Sequence, residues 1–167
     1  MRRVLFPLFS LFLAYQSYKL LELSPSLNET DELWINLSLG FLFNLFVTGF
    51  YAFLGFVFPT SKLLPYSYYR VSRPQLLRRC YAILGVRYFR AALLLFFWGK
   101  RKNQKRFFDG SRSGFENLIF QTKQSEFGHL LAFLTIALTS LYLIMNQLVL
   151  AALIAMLINI VGNLYPI

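Results

Sequence analysis

At 167 residues the chain is sized for one domain, yet 57% of it is hydrophobic, 19% aromatic and only 14% charged, where an average soluble domain carries roughly 25% charged residues. A water-soluble fold this small cannot hide so much apolar surface, because small domains bury the smallest fraction of theirs, so a bilayer is the expected solvent. The net charge of +10 suits a nucleic-acid binder until it is placed: every Lys and Arg except Arg2, Arg3 and Lys19 falls between Lys62 and Lys123, with no RNA- or DNA-binding motif around them. Anionic lipid headgroups are the expected partner, at about 1 kcal/mol per basic residue near the surface, and nucleic acid is not.

Residues 4–21 form the first predicted span, near the lower limit for crossing a hydrocarbon core of roughly 30 Å. Tyr15, Tyr18 and Lys19 suit its interfacial end. Arg2 and Arg3 before an apolar run imitate a signal peptide, but the run continues to Tyr15 without a convincing small-residue cleavage site, which predicts a retained helix. A short polar loop with Glu22, Pro25, Glu29, Asp31 and Glu32 follows.

The second predicted span, residues 33–58, stops at Pro59. Its Asn36, Asn44, Thr48, Gly49 and Gly55 are small or polar groups that suit a neighbouring helix better than lipid. Residues 60–127 differ in kind. Pro65 and Pro74 flank Tyr66-Ser67-Tyr68-Tyr69, an interfacial anchor by composition. Residues 76–98 read as one helix, with Arg79, Arg87 and Arg90 in one quadrant and Leu77, Ile83, Leu84 and Phe89 apolar. That pattern predicts a helix lying in the interface with its basic face toward headgroups. The competing reading makes residues 80–98 a fifth span, burying Arg87 and Arg90 at about 2.5–3.5 kcal/mol each.

After the basic run from Lys100 to Arg106, Asp109-Gly110 signals a turn. Residues 117–127 read as helix and lead into a third span at 128–145. Asn146-Gln147 forms a polar break before a fourth span at 148–164, interrupted by Asn159, Gly162 and Asn163. The expected fold is therefore an all-α integral membrane domain of about four transmembrane helices, with a basic interfacial helical segment between spans two and three. The positive-inside rule places the N-terminus and the basic segment in the cytoplasm, and four spans return the C-terminus there. A bacterial cytoplasmic membrane or a thylakoid-type membrane fits equally.

The single Cys80 and single His129 exclude an internal disulfide, a zinc finger, an iron–sulfur cluster and a multi-histidine metal centre built by this chain alone. No internal repeat, Gly-rich phosphate loop or Gly-x-Ser-x-Gly elbow is present. The densest polar cluster runs from Thr122 through Lys123, Gln124, Ser125 and Glu126 to His129. On a helix Thr122, Glu126 and His129 share a face, with Glu126 and His129 three residues apart. A carboxylate beside an imidazole can hold one ring nitrogen as a donor and leave the other as a base, able to take a proton from a hydroxyl that attacks an acyl group. The plainer reading is a polar helix mouth, with His129 bonded to a neighbouring helix. A third makes His129 an axial ligand to a bound pigment such as chlorophyll. The aromatic residues suit carotenoid or lipid contact, with packing against acyl chains the simplest use. Asn36, Asn44, Asn159 and Asn163 read as helix–helix hydrogen bonds.

Thr122-Lys123-x-x-Glu126-x-x-His129, on a helix that enters an apolar span, resembles the glycosyl-4,4'-diaponeurosporenoate acyltransferase family of the staphyloxanthin pathway. Arg87-Tyr88-Phe89 with the basic run and Asp109-Gly110 is similar to that family's central segment, and Asn163-Leu164-Tyr165-Pro166-Ile167 to its closing region. The resemblance covers Tyr69 to Ile167. It implies transfer of a fatty acyl group to a sugar hydroxyl on a glycosylated carotenoid or lipid, with Glu126 and His129 as an acid/base pair and Lys123 and Asn163 as lesser candidates. Two features depart from the pattern: Gln121 stands where an acid is expected, and the sequence ends at Ile167 where the family continues into a basic tail. A chain that continues and a site that has lost a part are both open. The rival reading is a non-catalytic small subunit of a larger photosynthetic or respiratory membrane complex, contacting pigments and lipids.

Overall fold

The computed structural model describes residues 2–27, 32–98 and 110–167, and no β-strand occurs among them. The helices are α1 (Arg2–Leu23), α2 (Leu33–Val57), α3 (Pro74–Ile83), α4 (Val86–Leu93), α5 (Arg112–Met145) and α6 (Val149–Asn159). The stretch from Val4 to Leu27, together with α2 and α5, supplies three helices long and apolar enough to cross a membrane. The fourth expected span is the 11-residue α6 carried on by a five-residue π turn, Ile160–Leu164, shorter than the roughly 20 residues of a typical span. The protein is an all-helical membrane protein. Its residues divide into two compact units, Met1–Thr60 with Ser125–Ile167, and Ser61–Gln124.

The first unit holds α1, α2, the membrane part of α5, and α6. Water is absent from a bilayer core, so helices there associate through close packing and hydrogen bonds rather than through apolar burial. Gly40 on α2 meets this demand. A Cβ at Gly40 would lie 2.8 Å from Ile154 Cγ2, 3.0 Å from the Ala155 nitrogen and 3.1 Å from the Ala151 oxygen. Ala151, Ala152 and Ala155 complete the small-residue face of α6, packed with Leu39, Phe43, Val47, Ala132, Ile136 and Leu143 into the buried core. Outward-facing residues such as Leu138 and Leu157 are exposed, as lipid contact requires. On the α1–α2 seam, Ser10 donates to the Phe50 carbonyl at 3.2 Å, and Phe6, Phe9, Phe53 and Phe56 form a connected aromatic cluster.

Local sequence sets the helix ends. Phe58 is extended, at φ −108° and ψ 140°, because the residue before a proline is kept out of the helical region. The Ser111 hydroxyl accepts the Gly114 N–H at 2.9 Å and so caps the start of α5. The predicted break at Asn146-Gln147 is a Schellman turn: Leu148 N–H donates to the Leu143 carbonyl at 2.9 Å and Gln147 N–H to the Ile144 carbonyl at 3.0 Å. Gln147 takes the left-handed position, φ +67°, which glycine usually fills.

The second unit carries the basic segment. Residues 65–70 form successive turns through Tyr68 N–H to the Pro65 carbonyl, Tyr69 N–H to the Tyr66 carbonyl and Arg70 N–H to the Ser67 carbonyl. Pro74 opens α3 at a position suited to its missing N–H. The single helix expected over residues 76–98 is instead two, because Gly85 sits at φ +68° between α3 and α4. Glycine in the left-handed region is a helix stop, so Arg79 stands on one helix and Arg87 and Arg90 on another. No residue of α3 or α4 is buried, and among the described residues neither helix is long enough for the alternative fifth span. The basic run from Lys100 to Arg106 lies outside the described residues, as does Asp109 of the expected turn, whose Gly110 has φ +91°.

Candidate functional site

A chain of polar side chains crosses the first unit. The expected helix over residues 117–127 and the span after it are one continuous helix, α5, which carries His129 half-buried. His129 Nδ1 lies 3.0 Å from Asn163 Oδ1. Asn163 comes from the π turn that ends α6, where the Tyr165 N–H donates five residues back to the Ile160 carbonyl at 3.0 Å. Such widened turns recur at functional sites. Asn163 Nδ2 donates to Asn159 Oδ1 and to Thr48 Oγ1, both at 3.0 Å, and the Thr48 hydroxyl is also 3.3 Å from Asn163 Oδ1. Asn159 Nδ2 in turn donates to the Phe133 carbonyl at 3.0 Å.

Three helices thus converge on one amide. Asn159 and Asn163 are almost fully buried, at 0% and 1% exposure. An unpaired polar group at that depth costs about 1–3 kcal/mol, so each amide must be satisfied where it stands. Asn44 also joins α2 to α6: its Nδ2 donates to the Gly40 and Ala155 carbonyls, each at 2.9 Å, while its buried Oδ1 is left without a hydrogen-bond partner. The Tyr51 and Thr135 hydroxyls add a link between α2 and α5 at 2.8 Å.

Asn44, Asn159 and Asn163, read from the sequence as interhelical bonds, behave so. The Asn36 amide donates to the Glu32 carbonyl at 3.0 Å. Glu126 is half-buried on α5, one turn before His129. Lys123 belongs to the second unit, where its ammonium lies 4.6 Å from the centre of the Tyr69 ring, a cation–π arrangement. The group at hydrogen-bond distance from His129 Nδ1 comes from Asn163. Sequence spacing along one helix points to Glu126 and misses this partner. The signal for it is the repeated four-residue spacing of Asn44 with Thr48 and of Asn159 with Asn163, two polar stripes on apolar helices.

A family model described as glycosyl-4,4'-diaponeurosporenoate acyltransferase matches residues 65–167. The chain belongs to this family. The matched stretch holds Lys123, Glu126, His129, Asn159 and Asn163, whereas Thr48 precedes it. This acyltransferase-family protein finds no match among curated proteins or among solved structures.

Proposed function

We propose that the protein transfers a fatty acyl group to a sugar hydroxyl of a glycosylated carotenoid or lipid, with His129 as general base. The observation that carries this reading is the half-buried imidazole whose Nδ1 is held by the Asn163 amide at 3.0 Å, inside the stretch that matches the acyltransferase family. With Nδ1 engaged, Nε2 is the nitrogen left for proton transfer. The acceptor hydroxyl oxygen attacks the acyl carbonyl carbon as Nε2 takes its proton. The new ester C–O bond forms, the bond to the donor's leaving group breaks, and the imidazolium returns the proton to that leaving group. Glu126 supports the imidazolium from one turn away.

The second unit serves the same reading as a membrane-surface element. Arg73, Gln75, Leu76 and Arg79 line an open cleft at the start of α3, and α4 adds the exposed Arg87 and Arg90. Basic side chains beside exposed Ile83, Leu84 and Phe96 suit anionic headgroups of the cytoplasmic leaflet, and this reading has both termini on that side by the positive-inside rule.

Membranes carrying the protein, given a glycosylated carotenoid and an isotopically labelled acyl donor, are expected to form an acylated glycoside that matched membranes without it do not. Absence of that product, with the protein co-purifying in fixed ratio with a large membrane complex, would overturn the proposal in favour of a subunit role.

A further inference from the structure

We infer that the Phe133 carbonyl, acting through Asn159 and Asn163, decides which nitrogen of His129 carries the proton. A backbone carbonyl oxygen can only accept, so the Asn159 atom 3.0 Å from it is the amide nitrogen. The other Asn159 atom is then the oxygen, which also only accepts. Its partner at 3.0 Å on Asn163 must therefore be Nδ2. That choice turns Asn163 Oδ1 toward the imidazole, 3.0 Å from His129 Nδ1. An oxygen acceptor there requires a proton on Nδ1, which leaves the lone pair of the neutral ring on Nε2.

The polarity of the whole chain is set at its far end by a group that cannot be flipped. Amide orientation and imidazole tautomer are ordinarily assigned from just such networks, and here the network has one consistent solution. Thr48 does not disturb it, because a hydroxyl both donates and accepts. Its oxygen accepts a hydrogen bond from Asn163 Nδ2–H at 3.0 Å, and its hydroxyl donates to Oδ1 at 3.3 Å. Asn159 and Asn163 are thus positioning residues: they reach the reacting atoms only through His129. The inference rests on the proposed base role for its catalytic meaning, and on the hydrogen bonds alone for its geometry.

The test exploits a chain with one histidine. The full-length protein is labelled with ¹⁵N-histidine, purified through a histidine-free tag into lipid nanodiscs, and its imidazole nitrogens are recorded by NMR at high pH, where the ring is neutral. The expected spectrum shows a protonated Nδ1 and a bare Nε2, the Nδ1–H form dominating by about tenfold or more, as a mismatched buried acceptor pair would otherwise have to be tolerated. An Nε2–H imidazole, or an even mixture, would overturn the inference. Asn159→Leu keeps size but frees the Asn163 amide to invert, and is expected to lower the Nδ1–H to Nε2–H ratio about fivefold or more. An unchanged ratio in folded Asn159→Leu protein would overturn the relay. Because the tautomer is read without substrate, a locked Nδ1–H ring in a protein that shows no acyl transfer would uphold the relay and sink only the acyltransferase reading.

Discussion

The two units use polar side chains in opposite ways. In the unit formed by Met1–Thr60 and Ser125–Ile167, Ser10, Asn44, Thr139, Ser140, Asn159 and Asn163 are buried while large apolar side chains such as Leu11, Phe41, Leu138 and Leu157 face outward. In the Ser61–Gln124 unit, α3 and α4 bury nothing, and exposed arginines alternate with apolar groups as open as Ile83 at 84% and Leu95 at 77%. The first pattern is that of a bundle solvated by hydrocarbon, where polar contacts give helix pairs their register. The second suits a segment at the boundary, with neither water nor lipid as its sole solvent. Substitutions in the bundle should therefore act on packing and on His129, and substitutions in the basic segment on membrane contact.

The sharpest way to break this division is at Gly40. Gly40→Leu drives a side chain into the Ala151 and Ala155 backbone and is expected to cost about 3 kcal/mol, the upper end for overpacking. Denaturant titration in detergent, followed by loss of helicity, measures it, and a change below about 1 kcal/mol would mean that α2 and α6 do not meet as closely as described.

A smaller effect is expected in the basic segment. A solvatochromic dye on the exposed Cys80, the single cysteine of the chain, reports contact of α3 with lipid. Anionic nanodiscs should shift its emission to the blue relative to zwitterionic ones. Removing two charges with Arg87→Gln and Arg90→Gln should weaken that response by about 2 kcal/mol of surface attraction while leaving bundle stability unaltered. A dye that is indifferent to lipid charge would contradict the surface assignment.

The smallest effect is a gain. Gln147→Gly relieves a left-handed residue at the α5–α6 break and is expected to add about 1 kcal/mol of stability, visible as a raised midpoint in the same titration. A loss of stability would show that the exposed Gln147 side chain contributes more than its backbone position costs.

The parts legible in the sequence are those written in local pattern. Long apolar runs gave α1, α2 and the membrane part of α5, and the polar pair Asn146-Gln147 marked the turn before α6. Gly85 was not legible as a stop, because apolar and basic residues keep helical spacing on both sides of it. The interruption of the fourth span at Asn159, Gly162 and Asn163 was legible, and α6 ends at Asn159, but composition does not distinguish the π turn that follows from an α turn. At the site, His129 was legible as the single histidine of the chain, and Glu126 as its neighbour along the helix. The Asn163 contact joins residues 34 positions apart, and Thr48 lies further still. Spacing along one helix cannot report a partner that packing brings from another, although the two asparagine stripes show which faces pack.

The central claim is that the polar chain inside the bundle serves an imidazole that moves a proton during acyl transfer. The most direct measurement is the acyl-transfer rate of His129→Ala in membranes, normalised to folded protein and set beside the wild type. Loss of about 10²-fold or more, the usual contribution of a general base, is the predicted result. A variant that keeps its helicity and transfers acyl groups within about twofold of the wild type, far short of that contribution, would contradict the account.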